Sequence, residues 1–169
     1  MALSNHERVG KGLTLTQQGL KPFVVRELKE KYGDQSAFEI KEVLRDTRLA
    51  DGKGDGLQDV AALLVIMDRK WRDVFRKPLG KAERTYVNEL IDIRNRWAHQ
   101  EAFSSNDTDR ALDSMCRLLT SVSAAEADDV NALRTELRRV VIDEQTRTEK
   151  RKKKGTLLET GTSGTLKPW

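Results

Sequence analysis

Apolar residues recur along the chain at steps of three and four, the spacing of an amphipathic helix, and there is no convincing alternating strand pattern. Ser4-Asn5-His6-Glu7 has the spacing of a capping box and opens the first helix, expected over about 4–18. Gly10, Gly12, Gly19 and Pro22 punctuate the pattern, so a second helix is expected from about 20 to Tyr32, ended by Gly33. Its inner stripe would be Phe23, Val24, Leu28 and Tyr32. A shorter helix over about 36–48 would turn Ile40, Val43 and Leu44 inward.

The most apolar segment is 57–76, where Val60, Leu64, Met67, Trp71, Val74 and Phe75 keep helical spacing until Pro78 and Gly80 end it. A helix over 81–98 follows, with Tyr86, Leu90, Ile93 and Trp97 on one face. The loop "AFSSND" leads to a helix over about 107–122, lined by Leu112, Met115, Leu118, Leu119 and Val122. Cys116 falls on that stripe and reads as a buried small hydrophobe. Ser123 and Glu126 have capping-box spacing and would open a last helix over about 124–150. Its apolar face, Val130, Leu133, Leu137, Val140 and Val141, covers only the first half. The closing "GTLLETGTSGTLKPW" reads as a linker. Short loops between helices imply an all-α, antiparallel helical bundle. The expected division is a helical domain over 1–145, then a basic helix end and flexible linker over 146–169.

Composition narrows the function classes. The chain has 169 residues, enough for one domain with a sizeable core. No apolar run approaches the ~20 residues needed to span a bilayer, and "MALSNHERVGKG" has no apolar stretch of a secretory signal. A single cysteine excludes an intrachain disulfide and points to a reducing, cytoplasmic compartment. The net charge of +4 is unevenly spread: "QTRTEKRKKK" (145–154) holds six basic residues and one acid, while the rest holds 25 and 26. The basic tail could attract phosphates through Lys150, Arg151, Lys152, Lys153 and Lys154, or be a solvated helix end.

Candidate chemistry is sparse. One cysteine and two histidines, His6 and His99, do not make a zinc cluster, so no metal or other cofactor is expected. "DGKGDG" (51–56) suggests a calcium loop, but Lys53 stands at the third ligand position and Ala62 at the twelfth, where a bidentate Glu is needed. The phosphate-binding Gly-Lys-Ser/Thr signature is missing there too, and no Gly-x-Ser-x-Gly elbow occurs.

There remains "IRNRWAH". Arg94 and His99 lie five residues apart, about 140° around a regular helix. They would not share one narrow face, but His99 falls at a helix end, where the last turn loosens and the dipole favours a cationic side chain. Histidine can move protons to and from a ribose 2′-hydroxyl and a leaving 5′-oxygen, while a guanidinium steadies charge on the phosphoryl group. Equally, such a histidine can be a simple cap, with the arginine paired to Glu89 or Asp92.

Arg94, Asn95 and His99, with four residues between Arg and His, resemble the signature of the HEPN superfamily. "GLKPFVVRELKEKYG", the long stretch from "DVAALLVIMDRKW" to "DRALDSMCRLL", and the closing "GTLKPW" widen the likeness to about residues 4–169. They resemble the HEPN branch found at the N-terminus of large prokaryotic ATPases and helicases of defence islands. The resemblance implies a HEPN-like bundle with additional N-terminal helices and a long C-terminal helix. It also implies a homodimer whose two motifs form one composite site, and metal-independent endoribonuclease activity leaving a 2′,3′-cyclic phosphate. Arg94, Asn95 and His99 would be catalytic, Arg96 would contact the nucleic acid, and the partners would be RNA and an ATPase or helicase domain downstream. The alternative is a non-catalytic HEPN module that dimerises or recruits nucleic acid for such an ATPase. Where HEPN toxins controlled by nucleotidyltransferases carry a Tyr two residues after the His, this chain has Glu101, so that control is not expected.

Overall fold

The computed structural model describes residues 3–47 and 56–165, with side chains described as far as residue 155. Of the expected loop at 51–56, residues 51–55 lie outside the described residues. The rest is all-α, with no strand among the described residues. The six helices are α1 (Asn5–Tyr32), α2 (Ser36–Arg45), α3 (Val60–Arg69), α4 (Lys81–Ala98), α5 (Ser105–Ser121) and α6 (Glu126–Thr165). A 3-10 turn (Gly33–Gln35) links α1 to α2, and a π turn (Trp71–Phe75) follows α3. Two compact units result, Met1–Arg134 and Thr135–Trp169.

In the first unit α1, α3, α4 and α5 pack around one core, with α2 against α3. Helix α3 is buried nearly all round: Val60, Ala61, Ala62, Leu63, Leu64, Ile66 and Met67 are all in the core. Each large apolar side chain removed from water there contributes roughly 1.5–3 kcal/mol before entropy is subtracted. The Asp59 carboxylate caps this helix by accepting a hydrogen bond from the Ala61 amide at 2.9 Å. Farther on, Ala127 and Val130 of α6 are buried, and Arg134 grips Asp109 and Asp113 of α5, each at 2.9 Å.

The expected break between two N-terminal helices is absent: α1 runs unbroken through Gly19 and Pro22. Its glycines mark close helix packing. A Cβ on Gly12 would lie 2.6 Å from Met115 Sδ, and one on Gly19 would lie 2.5 Å from Leu119 Cδ2. Leu20, Phe23 and Val24, buried on either side of Pro22, hold the helix together past the hydrogen bond that proline removes. Gly33 does end it, at φ 58°.

Segment 57–76 is likewise not one helix. The chain leaves α geometry at Lys70, and the Arg76 amide then bonds Trp71 O at 2.8 Å, the five-residue step of a π turn. Ser123 does not cap α6. It sits at φ 59° just beyond α5, where Ser123 N–H bonds Thr120 O and Ala124 N–H bonds Leu119 O. That is a Schellman ending, and α6 starts three residues later. The Ser4 cap does form, with its Oγ accepting from the Glu7 amide at 3.1 Å. Cys116 is only half-buried, its thiol 3.6 Å from Ala127 O. Lastly, α6 continues through most of the segment read as a linker, as far as Thr165.

Candidate functional site

Helix α4 has the bounds its sequence predicts, and Arg94, Asn95 and His99 lie at its C-terminal end. Val87 and Leu90 anchor it in the core, with Tyr86, Ile93 and Trp97 half-buried beside them. Its end is a second Schellman motif. Gln100 N–H bonds Trp97 O at 3.1 Å, and Glu101 N–H bonds Arg96 O at 3.0 Å. Gln100 stands at φ 60°, in the left-handed region where glycine is at ease. The two hydrogen bonds of that turn offset a strain of roughly 1–2 kcal/mol at Gln100 and set where the helix stops, and so where His99 projects.

His99 is the C-cap, at φ −87° and ψ 10°. Its backbone N–H still bonds Asn95 O at 3.0 Å, while its side chain is exposed and bonds no described residue. Arg94 faces another way. Its Nη2 donates to Asp59 Oδ2 at 2.6 Å, and its Nε is buried with no hydrogen-bond partner among the described residues. Asp59 thus spends one carboxylate oxygen on the α3 cap and the other on Arg94. Arg94 separates two hollows: about 350 Å³ lined by residues including Thr14, Gln58 and Asp59, and about 270 Å³ lined by Ala61, Ile91 and Asn95. His99 lines neither, and Arg94 is bonded to Asp59 and not to His99.

Arg96 is engaged as well. It donates to Glu101 at 3.1 Å, to Ala102 O at 3.2 Å and to Asp107 at 3.4 Å, and lies 4.6 Å over the Phe103 ring. This clasp ties the α4–α5 loop to both helices. The Arg96 guanidinium, and after it the Ser104 hydroxyl, hold the Asp107 carboxyl below the usual carboxylate range. Trp97 stacks on His6 with ring centroids 5.3 Å apart and donates its indole N–H to His6 O at 3.1 Å. A Cβ on Gly10 would lie 2.9 Å from that indole nitrogen, so Trp97 is a packing residue of α1 and α4. Glu89 pairs with Arg110 at 2.7 Å and accepts from Ser114 at 2.9 Å, not from Arg94. The tail residues Lys150, Arg151, Lys152, Lys153 and Lys154 are exposed along α6. Sequence reasoning missed Asp59 as the partner of Arg94. Its position before an apolar run signals a cap, but nothing links it to a residue 35 positions away.

Bundle, position and motif together define a domain of the HEPN class. The Swt1-like HEPN family model matches residues 11–123, well over half of the chain, and the protein belongs to that family. HEPN domains are generally a nuclease or RNase fold, and they often bind RNA and dimerise. Comparison with curated proteins and with solved structures returned no match. No helix among the described residues is long and apolar enough to cross a membrane.

Proposed function

We propose that the protein is a metal-independent endoribonuclease of prokaryotic antiviral defence, acting through Arg94, Asn95 and His99 at the seam of a homodimer. One observation carries this reading: the complete Arg-Asn-x3-His pattern ends α4 with the His99 imidazole exposed and unbonded. A histidine meant only as a cap would be expected to turn its ring onto backbone carbonyls of its own helix. In the proposed reaction the 2′-oxygen attacks phosphorus as its proton passes to one imidazole. The P–O5′ bond breaks as a second proton reaches the 5′-oxygen, leaving a 2′,3′-cyclic phosphate and a 5′-hydroxyl. Two copies of His99 across a seam supply the base and the acid. Arg94 offsets charge on the phosphoryl oxygens, and Asn95 orients them.

Arg94 and His99 lie about 140° apart around the helix, and a composite site accommodates that spacing, since each side chain has only to reach a shared seam. Arg94 is held by Asp59 at 2.6 Å, which orders it in advance of substrate. The same ion pair favours a second reading, in which the domain binds RNA or pairs with a second copy without cutting, on behalf of an attached ATPase or helicase. Labelled RNA incubated with the protein in EDTA separates the two. Cleavage that disappears in His99→Ala, with the helical circular dichroism unchanged, supports the nuclease. Binding without cleavage supports the recruitment module.

A further inference from the structure

Counting along the chain puts the basic character in the tail, but folding assembles a second positive surface. The π turn and the first half of α4 enclose a groove of about 460 Å³ lined by Arg72, Arg76, Lys81 and Arg84, with Thr85 and Asn88 beside them. All six are exposed, and no carboxylate lines the groove. None of the four cations forms an ion pair with a described residue. Arg84 makes only a ring contact, its guanidinium 6.0 Å from the centroid of the buried Trp71. The acids on the same elements are Asp73, Glu83, Glu89 and Asp92; the Glu83 carboxylate is occupied by the Gly80 amide at 3.0 Å, and Glu89 by Arg110 at 2.7 Å and Ser114 at 2.9 Å.

Assembling four like charges without counter-ions is unfavourable unless a ligand supplies the opposite charge. The π turn that brings Arg72 and Arg76 to α4 is a rare form, found often at functional sites. What the groove serves follows from the helix. At 100° and 1.5 Å per residue, Lys81 and His99 are five full turns apart, on one face and separated by ~27 Å. Asn88 and Asn95 lie within ~20° of each other and ~10 Å apart. Lys81, Arg84, Asn88, Asn95 and His99 therefore lie along one exposed strip of α4, interrupted by a single acid, Asp92.

We propose that this groove binds the phosphate backbone of single-stranded RNA and lays the strand along α4 toward Asn95 and His99. The proposal rests on the ribonuclease reading and gives it a substrate-holding surface away from the motif. Recognition is by charge and tolerates any sequence, because Arg and Lys meet phosphate oxygens and the groove offers few groups that could read base edges.

The test uses the full chain and a fluorescein-labelled 2′-O-methyl oligouridylate, which lacks the free hydroxyl that cleavage needs. Arg72→Gln, Arg76→Gln, Lys81→Gln and Arg84→Gln are combined in one variant. Its affinity is expected to fall by about tenfold or more, and the slope of log K against log salt to become shallower by about 0.7 per lost contact. The variant carrying Arg72→Lys, Arg76→Lys and Arg84→Lys should keep most of the affinity, which separates charge from folding. Replacing the five basic residues of 150–154 by Gln should leave most of the binding in place. The proposal is overturned if the groove variant binds with wild-type affinity and slope, or if the wild-type chain ignores the oligonucleotide at low salt. It is equally overturned if the groove variant loses binding to phosphatidylserine vesicles but not to the oligonucleotide. His99→Ala reports on the other reading. If that variant still cuts unmodified RNA, the catalytic assignment fails while the groove stands.

Discussion

The two ends of α4 handle positive charge in opposite ways. At the C-terminal end, Arg94 is paired with Asp59 and Arg96 with Glu101 and Asp107, while the exposed His99 side chain bonds no described residue. At the N-terminal end, Lys81 and Arg84 join Arg72 and Arg76 without a counter-ion among the described residues. One end fixes its cations in place, and the other leaves them open. A basic residue in a sequence says nothing about which it will be. The difference suggests a division of labour, with strand binding toward the π turn and chemistry toward His99.

The largest effect expected from breaking this contrast is at His99. His99→Ala should lower RNA cleavage by about 10²–10⁴-fold, measured on a labelled RNA in EDTA, while thermal stability stays within about 0.5 kcal/mol of the parent. Loss of the fold along with activity would reassign His99 to structure.

Next comes the tether on Arg94. Asp59→Asn keeps a cap for α3 but removes the charge that holds the guanidinium, so the unfolding free energy should fall by roughly 0.2–1 kcal/mol. Cleavage should fall further than that cost explains, on the order of tenfold, because an untethered Arg94 is no longer preset. Asp59→Ala also removes the cap and should cost about 1 kcal/mol more by denaturant titration. If Asp59→Asn instead raises cleavage, the ion pair restrains the site and does not prepare it.

The smallest effect concerns the Arg96 clasp. Asp107 titrates below its ordinary value in the folded chain, through the Arg96 guanidinium first and the Ser104 hydroxyl second. A carboxyl lowered on folding stabilises the fold above its unfolded pKa of about 3.9, and that contribution disappears as pH falls through the lower folded value. Between pH 5 and pH 3, Asp107→Asn should therefore lose less stability than the parent, a small difference because the group is exposed. Equal acid sensitivity of the two proteins would mean the clasp contributes nothing.

Much of the bundle was legible from the chain. Pro78, Gly80 and the Tyr86–Leu90–Ile93–Trp97 stripe delimit α4 correctly, because breakers and periodicity agree there. Agreement failed where one residue type serves two purposes. Gly12 and Gly19 look like helix breakers, yet they are the places where Met115 and Leu119 press against α1. Trp71, Val74 and Phe75 keep a spacing that an α-helix and a π turn both satisfy. Ser123 has the spacing of a cap but sits in the left-handed turn that ends α5. The motif itself could be read directly, since Arg94, Asn95 and His99 are local in sequence. Their surroundings could not. Asp59 is remote from Arg94, and the four cations of the groove lie scattered over 72–84 among Asp73 and Glu83, while the tail's cations form one continuous run.

One measurement tests the division of labour directly: steady-state cleavage of a single-stranded RNA by the parent chain, by His99→Ala and by the four-residue groove variant, with kcat and KM resolved for each. His99→Ala should lose kcat, and the groove variant should lose kcat/KM through a raised KM. A groove variant that lost kcat at unchanged KM, or a His99→Ala chain that still turned over, would contradict that division.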